Sequence, residues 1–247
     1  MISGIQTAEA AMRPKLTRME VIANNLANVN TTGFKKDRLF VRMLNDSVAA
    51  GADAAGDLDG VQVTQGIDFT EGSLRQTTNP LDVAIQGRGF FVLNTPQGER
   101  YTRSGGFRLS PDGTLVSGDG SQVEGTGGPI RFPDMQRVQQ ANVSITEAGE
   151  VMIDKETIGK IRVVDFADTT VLTKETASTF TAPPGTPVIE GPVAPATVKQ
   201  GYLEESNVDG VEEMIAMTEL QRSFDTDQKV LQALDDSVTK SLEVGKV

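Results

Sequence analysis

Both ends of this chain carry the same apolar rhythm, and no other feature limits the fold as much. Near the N-terminus Ile5, Met12, Met19 and Leu26 recur every seven residues, with Ile22 and Val29 three places after two of them. Near the C-terminus Met217, Phe224, Leu231 and Val238 keep the same interval, with Leu220 and Leu234 three places on and Met214 three places before. A seven-residue apolar repeat is the seam of one helix lying along another. Leu16 and Ala23 widen the first stripe, and Asp227 interrupts the second. Each stripe lacks cover within its own segment, so the simplest arrangement packs the two ends together as a coiled-coil-like pair.

Local signals place the helix ends. Pro14 should kink the first helix or start its well-formed part. Gly33 is expected to end it, where a residue with positive φ is commonly required. In the second helix Ser206 stands three residues before Asp209 like a capping box, and Glu212 and Glu213 suit a positive helix end. Gly210 weakens that first turn. Helical throughout, the C-terminal segment would run to about 50 Å at 1.5 Å per residue.

Between the ends the pattern changes to β-branched residues punctuated by "PDG", "GDG" and "EAGE" turns. This predicts an all-antiparallel β domain. The fold class is therefore α+β, with N- and C-terminal helices around a central β domain. The segments are 1–33 as N-terminal axial helix, 34–65 as linker or insert, 66–200 as β domain and 201–247 as C-terminal helix. The Pro/Thr-rich stretch "TAPPGTPVIEGPVAPAT" from Thr181 is expected to be a long surface loop.

Composition then excludes whole classes of chemistry. The chain has no His, Cys or Trp, and its net charge is −11. Zinc, haem and iron–sulfur sites lose their usual ligands, and Ser-His-Asp or Cys nucleophiles are impossible. No metal or cofactor is expected. The acidic balance argues against nucleic acid as a partner. No run of apolar residues reaches the length of a membrane span. The start "MISGIQTAEAAMRPKL" lacks the basic and apolar regions of a cleaved secretory signal.

Few polar clusters survive as candidate sites. "SPDGTLVSGDGS", 110–121, has a faint calcium-loop look through Asp112 and Asp119, but Leu115 and Val116 between two turns fit a β-hairpin better. Asp165 and Asp168 in "VVDFADTT" are the nearest carboxylate pair for a glycan-cleaving enzyme. A chain with two Tyr and no Trp offers poor sugar platforms, so these aspartates read as turn-formers. The "GRGFF" glycines lack the features of a phosphate loop and relieve strand crowding instead.

The stretch "ANNLANVNTTGFKKD" is different. Asn24, Asn25, Asn28 and Asn30 crowd a helix end, and no charged residue occurs from Val21 to Phe34. At about 100° per residue, Asn24 and Asn28 lie almost opposite the Ile22–Leu26–Val29 face. The amides either help a fraying helix turn toward Gly33, or form a second contact face for another chain. The residues alone leave both open.

This stretch closely resembles the N-terminal signature of bacterial flagellar rod and hook proteins. "GSLRQTTNPLDVAIQGRGFFVLNTPQGERYTRSGGFRLSPDGTLVSGDG" resembles the β core of that family, and "QGYLEESNVDGVEEMIAMTELQRSF" its C-terminal signature. The resemblance implies a non-enzymatic axial subunit of the basal-body rod, exported without a cleaved signal through the flagellar type III apparatus. Its partners would be other copies of itself and neighbouring rod proteins, with no small-molecule substrate. The assembly interface so implied comprises Ile5, Met12, Met19, Ile22, Asn24, Asn25, Leu26, Asn28, Val29, Asn30 and Gly33, with Met214, Met217, Leu220, Phe224, Leu231, Leu234 and Val238. Within the family, the chain length and the tail "KVLQALDDSVTKSLEVGKV" look most like proximal-rod members, with distal-rod members next.

Overall fold

The run "FFVL", residues 90–93, is apolar without alternation, which marks a strand covered on both sides. In the computed structural model that strand separates two cores. Phe91 and Leu93 join Val83, Ile85, Phe107, Leu115 and Val163 in one core, whereas Phe90 and Val92 join Tyr101, Val164, Phe166 and Phe180 in the other. Successive strand residues point to opposite faces, so the four consecutive apolar side chains feed both cores in turn. Edge-to-face ring pairs knit the second core, with Tyr101 and Phe166 centroids 4.8 Å apart.

The structure describes residues 2–43, 61–132, 143–154, 156–191 and 196–244, with side chains described for 12–40, 64–132, 143–154, 156–191 and 196–233. The chain divides into two units. One contains Met1–Ala27, Asp37–Gly66 and Asp209–Val247, and the other Asn28–Lys36 and Ile67–Val208.

The first unit holds helix α1 (Ile2–Ala27), strands β1 (Asp37–Met43) and β2 (Val61–Ile67) in a two-stranded sheet, and helix α2 (Gly210–Val244). Pro14 stands inside α1. The helix ends at Ala27, six residues before Gly33, because the chain turns at once: Thr31 N–H donates to the Asn28 carbonyl at 3.1 Å. The stretch read as linker, 34–65, contains strand β1 and most of β2. Its residues 44–60 lie outside the described ones.

The second unit is the antiparallel β domain. Strand β3 (Leu74–Gln76) pairs with Tyr202–Glu204, and β4 (Val83–Gln86) with Thr197–Gln200. Strand β5 (Phe90–Thr95) pairs with β6 (Gly98–Thr102), with Gln122–Gly125 and with Val163–Phe166. Two expectations need correction here. Residues 202–204 are strand rather than helix, and α2 is capped by Asp209, not Ser206: the Asp209 carboxylate accepts from Val211 N–H at 2.9 Å and Glu212 N–H at 3.2 Å. The Pro-rich loop contains strand Val188–Glu190, which pairs with Val163–Phe166. Residues 110–121 do lie in a hairpin region, where Arg108–Leu109 pairs with Leu115–Val116.

Gly105 shows how tightly β4 is approached. A methyl group added there would lie 1.6 Å from the Val83 carbonyl oxygen, whereas one at Gly118 would meet nothing within 4 Å. Gly105→Ala is expected to destabilise the chain by about 3 kcal/mol through forced backbone shifts. Gly118→Ala should stay within ~0.5 kcal/mol. Urea unfolding of the two variants checks the contrast.

Candidate assembly surface

The amides at the end of α1 turn inward before anything turns outward. Asn25 is buried, its Nδ2 donates to the Asp37 carbonyl at 3.1 Å, and its Oδ1 accepts from Asp37 N–H at 2.9 Å. The side-chain amide thus meets Asp37 as a neighbouring strand would, satisfying both backbone groups where β1 begins. Asn24 Nδ2 donates to the Asp37 carboxylate at 3.0 Å while Asn24 itself stays exposed. Asn28 is half-buried and accepts from the Thr31 hydroxyl at 3.2 Å, and Asn30 is exposed.

Within the β unit, the next residues are fastened by a buried ionic cluster. Lys35 and Glu204 have fully buried side chains and Arg103 is 4% exposed. Lys35 Nζ bonds to Glu204 Oε1 and donates to the Thr70 carbonyl. Arg103 Nε donates to Glu204 Oε2 at 2.8 Å, and its Nη1 donates to the Gly87 and Gly89 carbonyls at 2.9 and 2.6 Å. Gly72 N–H completes the set on Glu204 Oε1 at 3.1 Å. Burial loosens Lys35's hold on its proton, and the Glu204 carboxylate pulls the other way without cancelling that effect.

The cluster fixes its neighbours. Gly33 N–H donates to the Glu204 carbonyl at 2.9 Å, and with φ +70° a Cβ at Gly33 would sit 2.3 Å from Ser104 N. Phe34 is fully buried, with the Lys174 ammonium 4.0 Å from its ring centroid. Asn207 bonds Lys36 N–H through Oδ1 at 2.8 Å and the Asp68 carbonyl through Nδ2 at 2.9 Å. Sequence reasoning missed Lys35, Arg103, Glu204 and Asn207. Each lies inside a stretch quoted for the family resemblance, but nothing local says that three charges so far apart in sequence meet.

The helix pair presents two kinds of face. Lys15 on α1 donates to Ser223 Oγ at 2.8 Å and pairs with Asp227, both on α2. The acid that interrupts the α2 stripe is therefore a partner for α1. Ile22 and Leu220 are buried, and Met12, Met19, Leu26, Met217, Phe224 and Leu231 are half-buried. Val29 is half-buried within the β unit. The side chains of Ile5, Leu234 and Val238 lie outside the described residues. Leu16 and Ala23, expected to widen the α1 stripe, are exposed instead. On α2, Met214 leaves the stripe: at 100° per residue it projects with Val211 and Ile215 roughly opposite Leu220. These three are 51%, 64% and 57% exposed. Among the described residues the other large exposed apolar side chains are Leu16, Phe40, Val230 and Ile189, and of all seven only Ile189 lies in the β unit.

The carboxylates once weighed for chemistry are occupied by structure. Asp168 accepts from the Thr170 hydroxyl and N–H at 2.6 and 2.9 Å, which holds its carboxyl below the usual range. It is thus fixed as an anion and unsuited to donate a proton. Asp165 is buried against the Arg88 guanidinium at 3.1 Å and accepts from Phe166 N–H. Asp112 and Asp119 bond Thr114 and Ser121 two residues on. With carboxylates spent on turns and uncovered apolar side chains gathered on a helix pair, the molecule is built as a structural, associating protein.

Comparison with known proteins gives the class its identity. Family models match three stretches: "Flagella basal body rod protein" at 5–35, "Flagellar hook protein FlgE/F/G D1 domain" at 84–153 and "Flagellar basal body rod FlgEFG protein C-terminal" at 199–243. Lys35, Arg103 and Glu204 fall one in each. The chain is 34% identical to the flagellar basal-body rod protein FlgG of Bacillus subtilis, over 96% of both chains. It is 34% identical to the rod protein FlgF of Caulobacter vibrioides, over 93% of this chain and 92% of that one. The FlgG of Agrobacterium fabrum is 33% identical, over 96% of this chain and 98% of its own. The chain belongs to the flagellar basal-body rod protein family, and it is a structural protein rather than an enzyme.

Removing one member of a buried ion cluster strands the others. Glu204→Gln is expected to cost about 3–5 kcal/mol, because Lys35 and Arg103 lose their common anion. Arg75→Gln removes the exposed pair with Glu205 and should cost under ~1 kcal/mol. Denaturant midpoints of the two variants give the comparison.

Proposed function

We propose that this chain is a rod subunit that polymerises through its terminal helices, α1 and α2 forming a coiled-coil-like pair whose outer faces meet neighbouring subunits. The observation that carries this reading is the gathering of Val211, Met214, Ile215, Leu16 and Val230, all exposed, on the helix unit. Large apolar side chains left exposed together mark association sites. Asn24 and Asn30, which stay exposed, and the half-buried Asn28 are the amides placed to set register against a neighbour. Asn25 works inside the chain.

We assign the chain to the proximal rod on the resemblance of its length and C-terminal tail. The alternative is the distal rod. Relatives named FlgG and FlgF match at the same 34% identity, which supports either position in one shaft. The reading includes export through the flagellar type III apparatus without a cleaved signal, and a place in the periplasmic part of the basal body, with other copies and sister rod proteins as neighbours. Loss of a proximal subunit should leave no distal rod on imaged basal bodies, whereas loss of a distal subunit should leave a proximal stub.

Met214→Glu with Ile215→Glu changes exposed side chains only. The purified double variant should keep the far-ultraviolet circular dichroism and unfolding midpoint of the parent. In cells it should abolish swimming and give basal bodies with truncated rods. Complete rods and normal swimming in that strain would overturn the proposal.

A further inference from the structure

Sulfur occurs in this chain only as methionine: there are eight Met and no Cys. A thioether has no proton to lose, so its reaction with two-electron oxidants is governed by access to the sulfur rather than by a pKa. Among the described methionines one stands apart. Met12, Met19, Met152 and Met217 are half-buried, whereas Met214 is exposed. It lies in the first two turns of α2 beside Val211 and Ile215, which are exposed as well. The most accessible of these sulfurs therefore sits inside the apolar sector assigned above to contact with a neighbouring subunit.

We propose that Met214 is an oxidation site whose conversion to the sulfoxide switches off association through the start of α2, with hydrogen peroxide as the class of oxidant. The inference rests on the rod-subunit reading and adds a regulation of the same face. The sulfur lone pair attacks one oxygen of the peroxide. An S–O bond forms and the O–O bond breaks, and the departing hydroxide takes up the remaining proton and leaves as water. The sulfur is oxidised by two electrons and the peroxide is reduced by two. A thiol-dependent sulfoxide reductase reverses the change, the oxygen leaving as water while two thiols become a disulfide.

The effect is confined to association because of where the side chain stands. In a lone chain the new oxygen faces water, so the fold bears no cost. Between two subunits it would be enclosed with Val211 and Ile215, and a polar oxygen enclosed among apolar groups without a donor is penalised. A flexible thioether suits an apolar contact, and its polar sulfoxide does not. Once a neighbour covers the face the sulfur is out of reach, so the switch acts on subunits that have not yet joined.

The test treats the purified full chain with graded hydrogen peroxide. Mass spectrometry of digests should show sulfoxide forming at Met214 at least about threefold faster than at Met12, Met19, Met152 or Met217. At the dose that converts Met214, sedimentation velocity over a concentration series should show association weakened about tenfold, with the far-ultraviolet circular dichroism unchanged. Sulfoxide reductase with dithiothreitol should restore it. Met214→Leu removes the reactive sulfur and keeps an apolar side chain of similar volume. Whatever the starting strength of that variant's association, the same dose should leave it unaltered. Oxidation of Met214 no faster than that of the half-buried methionines, a parent whose association is the same before and after treatment, or a Met214→Leu chain that loses association as the parent does would each overturn the switch. If the oxidised parent associates like the untreated one while Met214→Glu with Ile215→Glu abolishes rods in cells, the switch falls and the rod-subunit reading stands. If Met214 oxidises first but the Met214→Glu, Ile215→Glu strain builds complete rods, the assigned face falls and the switch falls with it.

Discussion

Three charges buried in one place organise this molecule. Glu204 accepts from Lys35, Arg103 and Gly72 N–H, and burying such a group is tolerable only when every lone pair and proton has a partner. The consequence is mutual dependence. Lys35 arrives from the segment after α1, Arg103 from the end of β6, and Glu204 from the strand that leads toward α2. None can be lowered into the interior without the other two. The cluster therefore ties the beginning, middle and end of the chain into one cooperative β unit. Gly33, Phe34 and Asn207 are held in place around it.

Much of this architecture was legible in the sequence, for physical reasons. The seven-residue stripes identified both helices, because an apolar face repeats at the helix period whatever it packs against. Leu115–Val116 between two glycine turns gave a hairpin for the same kind of reason. What was not legible is long-range pairing. Lys35, Arg103 and Glu204 each look like ordinary surface charges in their local setting, and only the fold brings them together. The strand at 202–204 was hidden by the helical stripe that follows it. Asp209 won the capping position from Ser206 because the chain is still leaving that strand when it passes Ser206. Asp227 looked like a flaw in a stripe, and it is the acceptor for Lys15.

The helices illustrate how one sequence can serve two packing demands. The line through Met217, Leu220, Phe224 and Leu231, buried at Leu220 and half-buried at the other three, faces inward. Val211, Met214 and Ile215 on the opposite side are left for something else. An ordinary surface helix has one apolar face and one polar face. Here a second apolar sector opens at the start of α2, flanked by Glu212 and Glu219.

The pair of hydrogen bonds between the Asn25 side chain and the backbone of Asp37 has a mechanical consequence. A helix resting only on smooth apolar contacts can roll about its axis, since neighbouring ridges of similar shape replace one another. Asn25 acts as a key in a keyway: moving the helix by one residue would swing that amide through about 100° and forfeit both bonds. The rotational phase of α1 is thereby locked to β1. With it is locked the compass bearing of the side chains along α1, Leu16 and Arg13 among them, so the outward face of the helix is set by an amide buried on its inward side.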